Sequence, residues 1–186
     1  MRPSVSYSIA LSVFLLDFVT KRIVLSNAET FSSGIPLIEG LLRFTYVRNA
    51  GAAFGIFQGA RWPFVAVSIL AVLGLIWVLR RSGLRSTLRS TAYALILGGA
   101  AGNLVDRIFY GGKVVDFIEM GWRGHIFPVY NVADMGVSFG AALLVLALLR
   151  EGESHEEDVT PSELEPLAEQ SQAPEGANDD PATPSA

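Results

Sequence analysis

The chain has 186 residues, of which 51% are apolar and none is cysteine, so disulfides, thiolate zinc sites and a cysteine nucleophile are all excluded. Two histidines, His125 and His155, are too few for a histidine-based metal cluster, and acid–base chemistry falls mainly to carboxylates. The net charge of −4 hides an asymmetry, because residues 1–150 carry all fourteen basic residues and seven acids while residues 151–186 carry eleven acids and no Lys or Arg.

Four segments are apolar enough to be membrane spans, which need about 20 residues at a rise of about 1.5 Å each. The first runs roughly Val5–Leu25 and is interrupted by Asp17, Lys21 and Arg22. A cleavable signal peptide is the competing reading, with Arg2 as its n-region and Ser26-Asn27-Ala28 as its cleavage site. Charged residues near the end of the segment fit that reading poorly. The following segment, 26–61, contains Leu42-Arg43-Phe44-Thr45-Tyr46-Val47-Arg48, whose alternation predicts a half-buried strand. Gly51, Gly55 and Gly59 then punctuate an irregular stretch.

Trp62–Leu79 is the second span, eighteen residues without a charge. Arg80, Arg81, Arg85 and Arg89 follow, and this basic loop is expected in the cytoplasm. Both termini are then cytoplasmic, and segments 26–61 and about 108–130 lie outside. The third span runs roughly Thr91–Tyr110 and ends on Asp106 and Arg107. Its Gly98-x-x-x-Gly102 is a small-residue packing motif. The fourth, Val132–Leu149, has Asp134 near its start. The expected fold is an all-α membrane protein with four transmembrane helices and a small β-rich extracytoplasmic cap. Residues 1–151 form the membrane domain. Residues 152–186, rich in Glu, Pro, Ala, Ser and Gln, form a disordered acidic cytoplasmic tail.

This topology carries polar residues from three spans and two outer loops to one depth. Asp17 and Lys21 come from the first span, Asn103, Asp106 and Arg107 from the third, and Asn131 and Asp134 from the start of the fourth. Asn49 and Asp116 come from the outer segments. Each has a plain structural explanation. Asp17 and Lys21 are four apart and suited to a helical ion pair. Arg107 can snorkel to headgroups, and Asp134 can cap a helix. Ionisable residues at membrane depth are nonetheless costly, which makes function the default hypothesis. Two carboxylates brought close cannot both ionise easily and so share a proton, which suits one as base and the other as acid. Asp116 and Asp134 are the candidates for such a pair.

Five motifs, in order over residues 17–134, resemble those of the lipoprotein signal peptidases, the type II signal peptidases of bacteria. Asp17-Phe18-Val19-Thr20-Lys21 resembles the family's D-x-x-T-K, and Asn49-Ala50-Gly51-Ala52-Ala53-Phe54-Gly55 its N-x-G-A-A-F-G. Gly98–Arg107 resembles G-G-A-x-G-N-x-x-D-R. Val114-Val115-Asp116-Phe117 and Asn131-Val132-Ala133-Asp134 resemble the elements that hold the two catalytic aspartates. Tyr130 stands where the family usually has Phe.

The resemblance implies an aspartyl endopeptidase of the bacterial inner membrane, with its active site at the outer face. Its substrate is a prolipoprotein whose lipobox cysteine carries a diacylglyceryl group, cut just before that cysteine. Asp116 and Asp134 would be catalytic, and Asn49, Asn103, Arg107 and Asn131 would orient substrate or the pair. Asp17, Lys21, Gly51 and Asp106 would support them. No metal and no organic cofactor are implied; the expected partners are the substrate and membrane lipid, not nucleic acid, and the expected state is a monomer. A transporter subunit would instead need polar residues along a path through the spans. A metalloenzyme would use Asp106, Asp116 and Asp134 as oxygen ligands.

Overall fold

A computed structural model describes residues 3–50, 61–81, 86–122 and 125–157. Gly51, Gly55, Gly59, Arg85 and the tail beyond residue 157 lie outside them. The chain divides into two units, Met1–Ala147 and Leu148–Ala186. All the strands and the whole polar network belong to the first.

Four long helices dominate. α1 covers Pro3–Ser26, with a proline at its start, where no amide donor is needed. A five-residue helix, α2, follows at Ala28–Ser32. α3 covers Arg61–Arg81 and α4 Thr87–Phe109. The Ser86 hydroxyl caps α4 by accepting from the Arg89 N–H. Gly111 and Gly112, both at positive φ, turn the chain sharply after it. α5 covers Val132–Glu157 and so runs past residue 151, where the sequence places the end of the membrane domain. Residues 152–157, expected to belong to a disordered tail, are helical.

Between the helices lie four antiparallel strands in the order β1-β2-β3-β4: Ile35–Ile38, Leu42–Asn49, Val114–Trp122 and His125–Ile126. The alternating segment at 42–48 is indeed a strand, β2. Asn49 and Asp116 were expected in loops but sit on β2 and β3. The reason is compositional: Val114-Val115-Asp116-Phe117-Ile118 is β-branched and aromatic around its one charge, which favours a pleated strand.

The apolar exterior and polar interior invert the pattern of a water-soluble protein. Leu16 on α1, Leu70 on α3 and Phe139 on α5 are 57–69% exposed, whereas Asp17 and Lys21 are 0% and 2% exposed. Arg61–Arg81 and Val132–Arg150 are long and apolar enough to cross a membrane. With no water-driven core between such helices, close packing needs small residues. A Cβ added at Gly98 would meet the Ala10 carbonyl oxygen of α1 at 2.5 Å. One at Gly99 would collide with the Ala133 carbonyl of α5, and one at Gly102 with the Asp17 carboxylate. The glycines of α4 thus let α1 and α5 each approach the α4 backbone beside the polar cluster.

Candidate active site

The cluster is built from its most buried member outward. Lys21 Nζ lies 2.8 Å from Asp17 Oδ2 and 3.0 Å from Asp106 Oδ2, and donates to Asn103 Oδ1 at 3.0 Å. The two carboxylates also hold backbone. Asp17 Oδ1 accepts from the Ala133 N–H at 2.8 Å, and Asp106 Oδ2 from the Val115 N–H at 3.0 Å. An anion at Ala133 also suits the positive end of α5. One ion triad therefore ties α1, α4, β3 and the start of α5 together. Asp106 Oδ2 is thus engaged by both Lys21 and Val115.

An ammonium can only donate, so Lys21 forces the Asn103 oxygen inward. The Asn103 amide nitrogen then faces outward and donates to Asp134 Oδ1 at 2.8 Å. The neighbouring Asn131 is fixed in the same way. Its oxygen accepts from the Asp134 N–H at 2.9 Å, while its backbone N–H donates to Asp134 Oδ2 at 3.2 Å. This reciprocal pair is a capping box at the start of α5. Asn131 Nδ2 is left to face Asp116 Oδ1 at 2.6 Å, Asn103 Oδ1 at 3.2 Å and the Val115 carbonyl at 3.3 Å. Asn49 Nδ2 donates to Asp116 Oδ2 at 2.8 Å.

The preceding residue anchors this arrangement. The Tyr130 carbonyl accepts from the N–H groups of Phe117 and Ile118, and the Tyr130 N–H donates to the Ile118 carbonyl. These are backbone bonds, so Tyr in place of Phe leaves them intact. Asp116, only 1% exposed, sits between buried Val115 and Phe117. Burial pushes its pKa up from 3.8 to about 6 and Asp134 adds to the rise, while the Asn49 and Asn131 amides and Lys21 oppose it.

Asp134 and Asn103 reach a cleft of about 330 Å³ between α3, α4 and α5. Val67 and Ala71 line one wall, Ala100 and Val137 another, with Ser68, Arg107 and Ser138 as its other polar groups. Arg107 Nη1 donates to Ser68 Oγ at 3.2 Å.

Of the residues singled out in the sequence, Asp17, Lys21, Asn49, Asn103, Asp106, Asp116, Asn131 and Asp134 form one continuous hydrogen-bonded network, and Arg107 lies beside it in the cleft. Gly51 is outside the described residues. Ser68 and Ser138 were not expected to line the site. The one available signal was Ser68 as a lone polar residue in an apolar span.

The model of the signal peptidase II family matches residues 9–150, from α1 through most of α5. The chain belongs to the signal peptidase II family. It is 43% identical over 144 residues to the lipoprotein signal peptidase of Symbiobacterium thermophilum, covering 77% of this chain and 93% of that one. It is 41% identical to that of Halalkalibacterium halodurans, covering 78% and 92%. Two solved structures of bacterial membrane enzymes, both obtained by the in meso method, share the fold. The one at 2.3 Å resolution has a TM-score of 0.75 and 31% identity, over 84% of this chain and 94% of the other. The one at 1.9 Å has a TM-score of 0.71 and 33% identity, over 78% and 93%. The matched stretch of this signal peptidase II family member contains every residue of the network.

Proposed function

We propose that this protein removes signal peptides from diacylglyceryl-modified prolipoproteins, with Asp116 and Asp134 as an aspartyl pair that cuts before the lipobox cysteine. The observation that carries this reading is Asn131: one residue donates to both carboxylates and holds them beside a cleft. Membership of the signal peptidase II family supplies the substrate class.

In this mechanism the pair shares one proton. Asp116 holds it, because burial favours its neutral form. Asp134, in the first turn of α5 and lining the cleft, is the base. Asp134 takes a proton from water, and the resulting hydroxide adds to the scissile carbonyl as Asp116 gives its proton to the carbonyl oxygen. The tetrahedral carbon then collapses to a carboxyl group, one of its hydroxyls returning a proton to Asp116. Its C–N bond breaks, and the amine of the cysteine leaves with the proton held by Asp134. Arg107 binds a substrate carbonyl or headgroup. Asn49, Asn103 and Asn131 orient the carboxylates, Lys21 holds the Asn103 amide, and Asp17 and Asp106 hold Lys21. The small apolar walls of the cleft suit a signal peptide's apolar core.

Four spans, with both termini in the cytoplasm, place the pair at the outer membrane surface, where such a scissile bond lies. The enzyme acts as a monomer, without metal or organic cofactor. The test is incubation of the purified protein with a lipidated prolipoprotein and its unlipidated counterpart. Conversion of the lipidated form alone to the shorter product is expected. Cleavage of neither, by folded protein, would overturn the assignment.

A further inference from the structure

Two arginines outside the active site converge on one tyrosine. Arg22, near the end of α1, donates from Nη1 to Tyr110 Oη at 3.0 Å, and its guanidinium lies 4.9 Å from the Phe18 ring centroid. Arg48, on β2, lies 5.5 Å from the Tyr110 ring centroid and 6.0 Å from that of Tyr46, whose hydroxyl accepts from its Nε at 2.5 Å. Both arginines are exposed. Among the described residues neither has a carboxylate partner; Arg43, by contrast, pairs with Glu119 at 2.6 Å.

Aromatic faces and hydroxyls hold these guanidiniums in place but leave both charges uncompensated. Two like charges drawn to one ring repel, and an anion between them removes that repulsion. Planar guanidinium forks match the oxygens of a phosphate. The surroundings indicate which phosphate. Val19 and Ile23 flank Arg22 on α1, Val47 precedes Arg48, and Phe109 precedes Tyr110; all four are exposed, Phe109 at 70%. An anionic head against two arginines with hydrocarbon on every side describes a phospholipid.

We propose that Arg22, Arg48 and Tyr110 form a binding site for the phosphate headgroup of an anionic phospholipid. The site rests on the proposed placement of this end of α1 and α4 at the outer membrane surface. A lipid bound there would hold α1, α4 and β2 in register at the rim of the active site.

The test uses the full chain in nonionic detergent, with native mass spectrometry reading retained phosphatidylglycerol. Substrate is absent, so the result stands apart from whether the chain cleaves prolipoproteins. Each arginine near a lipid surface is worth about fivefold in affinity, so R22Q/R48Q should retain phosphatidylglycerol roughly 25-fold less well. R43Q, at an arginine whose charge Glu119 already matches, should retain phosphatidylglycerol like the wild type. Should the double variant fail to fold, as judged by circular dichroism, Tyr110→Phe must still weaken retention several-fold through the lost Arg22 bond. Unchanged retention in the folded double variant, or in Tyr110→Phe, overturns the proposal. So does equal retention of phosphatidylcholine. Displacement of the lipid by millimolar inorganic phosphate would assign the site to free phosphate and overturn the lipid assignment.

Discussion

Lys21 Nζ donates to Asn103 Oδ1 at 3.0 Å, and that bond fixes which end of the Asn103 amide meets Asp134. The lysine's nearest charges are two buried carboxylates, so its removal would have two consequences. Lys21→Met leaves Asp17 and Asp106 buried without their counter-ion, which typically costs about 3–5 kcal/mol. It also frees the Asn103 amide to turn its oxygen toward Asp134. The melting temperature in detergent should fall sharply, and the fraction that remains folded should show a lower kcat with little change in KM. An unchanged melting temperature would mean that the triad does not hold the fold.

Gly99 allows α4 to touch the first turn of α5. Gly99→Ala puts a methyl group against the Ala133 carbonyl, which is backbone and cannot swing aside. The turn that carries Asp134 must then move. Overpacking of this kind costs about 1–3 kcal/mol, and cleavage should fall more steeply than stability. Gly74, with open space around it, is the control, and Gly74→Ala should leave both unchanged.

The raised pKa of Asp116 makes both activity and stability depend on pH. The folded protein holds a proton on Asp116 up to about pH 6, whereas the unfolded chain releases it near 3.8. Between those values the native state binds more protons. Stability from this group is therefore complete below pH 3.8 and lost as pH rises through 6. Asp116→Asn should abolish that part of the slope in melting temperature. In the proposed mechanism Asp116 acts in its protonated form, so kcat/KM should decline as pH rises above about 6, which a pH–rate profile on lipidated substrate measures.

Much of the site was legible in the sequence because its members are polar residues in otherwise apolar surroundings, where each demands a reason. Asp17, Lys21, Asn103, Asp106, Asn131 and Asp134 stood out that way. Their connections were not legible. Nothing in the spacing shows that Asp17 accepts from the Ala133 N–H, because that bond joins residues brought together only by the α1, α4 and α5 packing. Asp116 was expected in an outer loop. Its place on β3 depends on pairing with β2, about 70 residues earlier, and such long-range pairing leaves only a weak local signal. Ser68 and Ser138 escaped because a single serine in an apolar helix ordinarily bonds its own backbone, as Ser68 also does to the Phe64 carbonyl.

Orientation follows from the arginines around α3 and α4. Reporter fusions after Arg81 and at the C-terminus should both report the cytoplasm. A chain ended after Glu157 should keep cleavage within a few-fold, since residues 158–186 would lie across the membrane from the pair. A periplasmic signal from the C-terminus would overturn the four-span topology.

The aspartyl pair is tested most directly by its own isosteric variants. Asn keeps the shape of Asp but cannot exchange the proton, so Asp116→Asn and Asp134→Asn should each insert normally and lose cleavage of lipidated prolipoprotein. One lost acid–base group costs roughly a hundredfold or more. Asp116→Asn/Asp134→Asn should be no worse than either single variant, because the two residues act as a unit. Cleavage by either single variant at more than about a tenth of the wild-type rate, well above that hundredfold loss, would contradict a catalytic role for that residue.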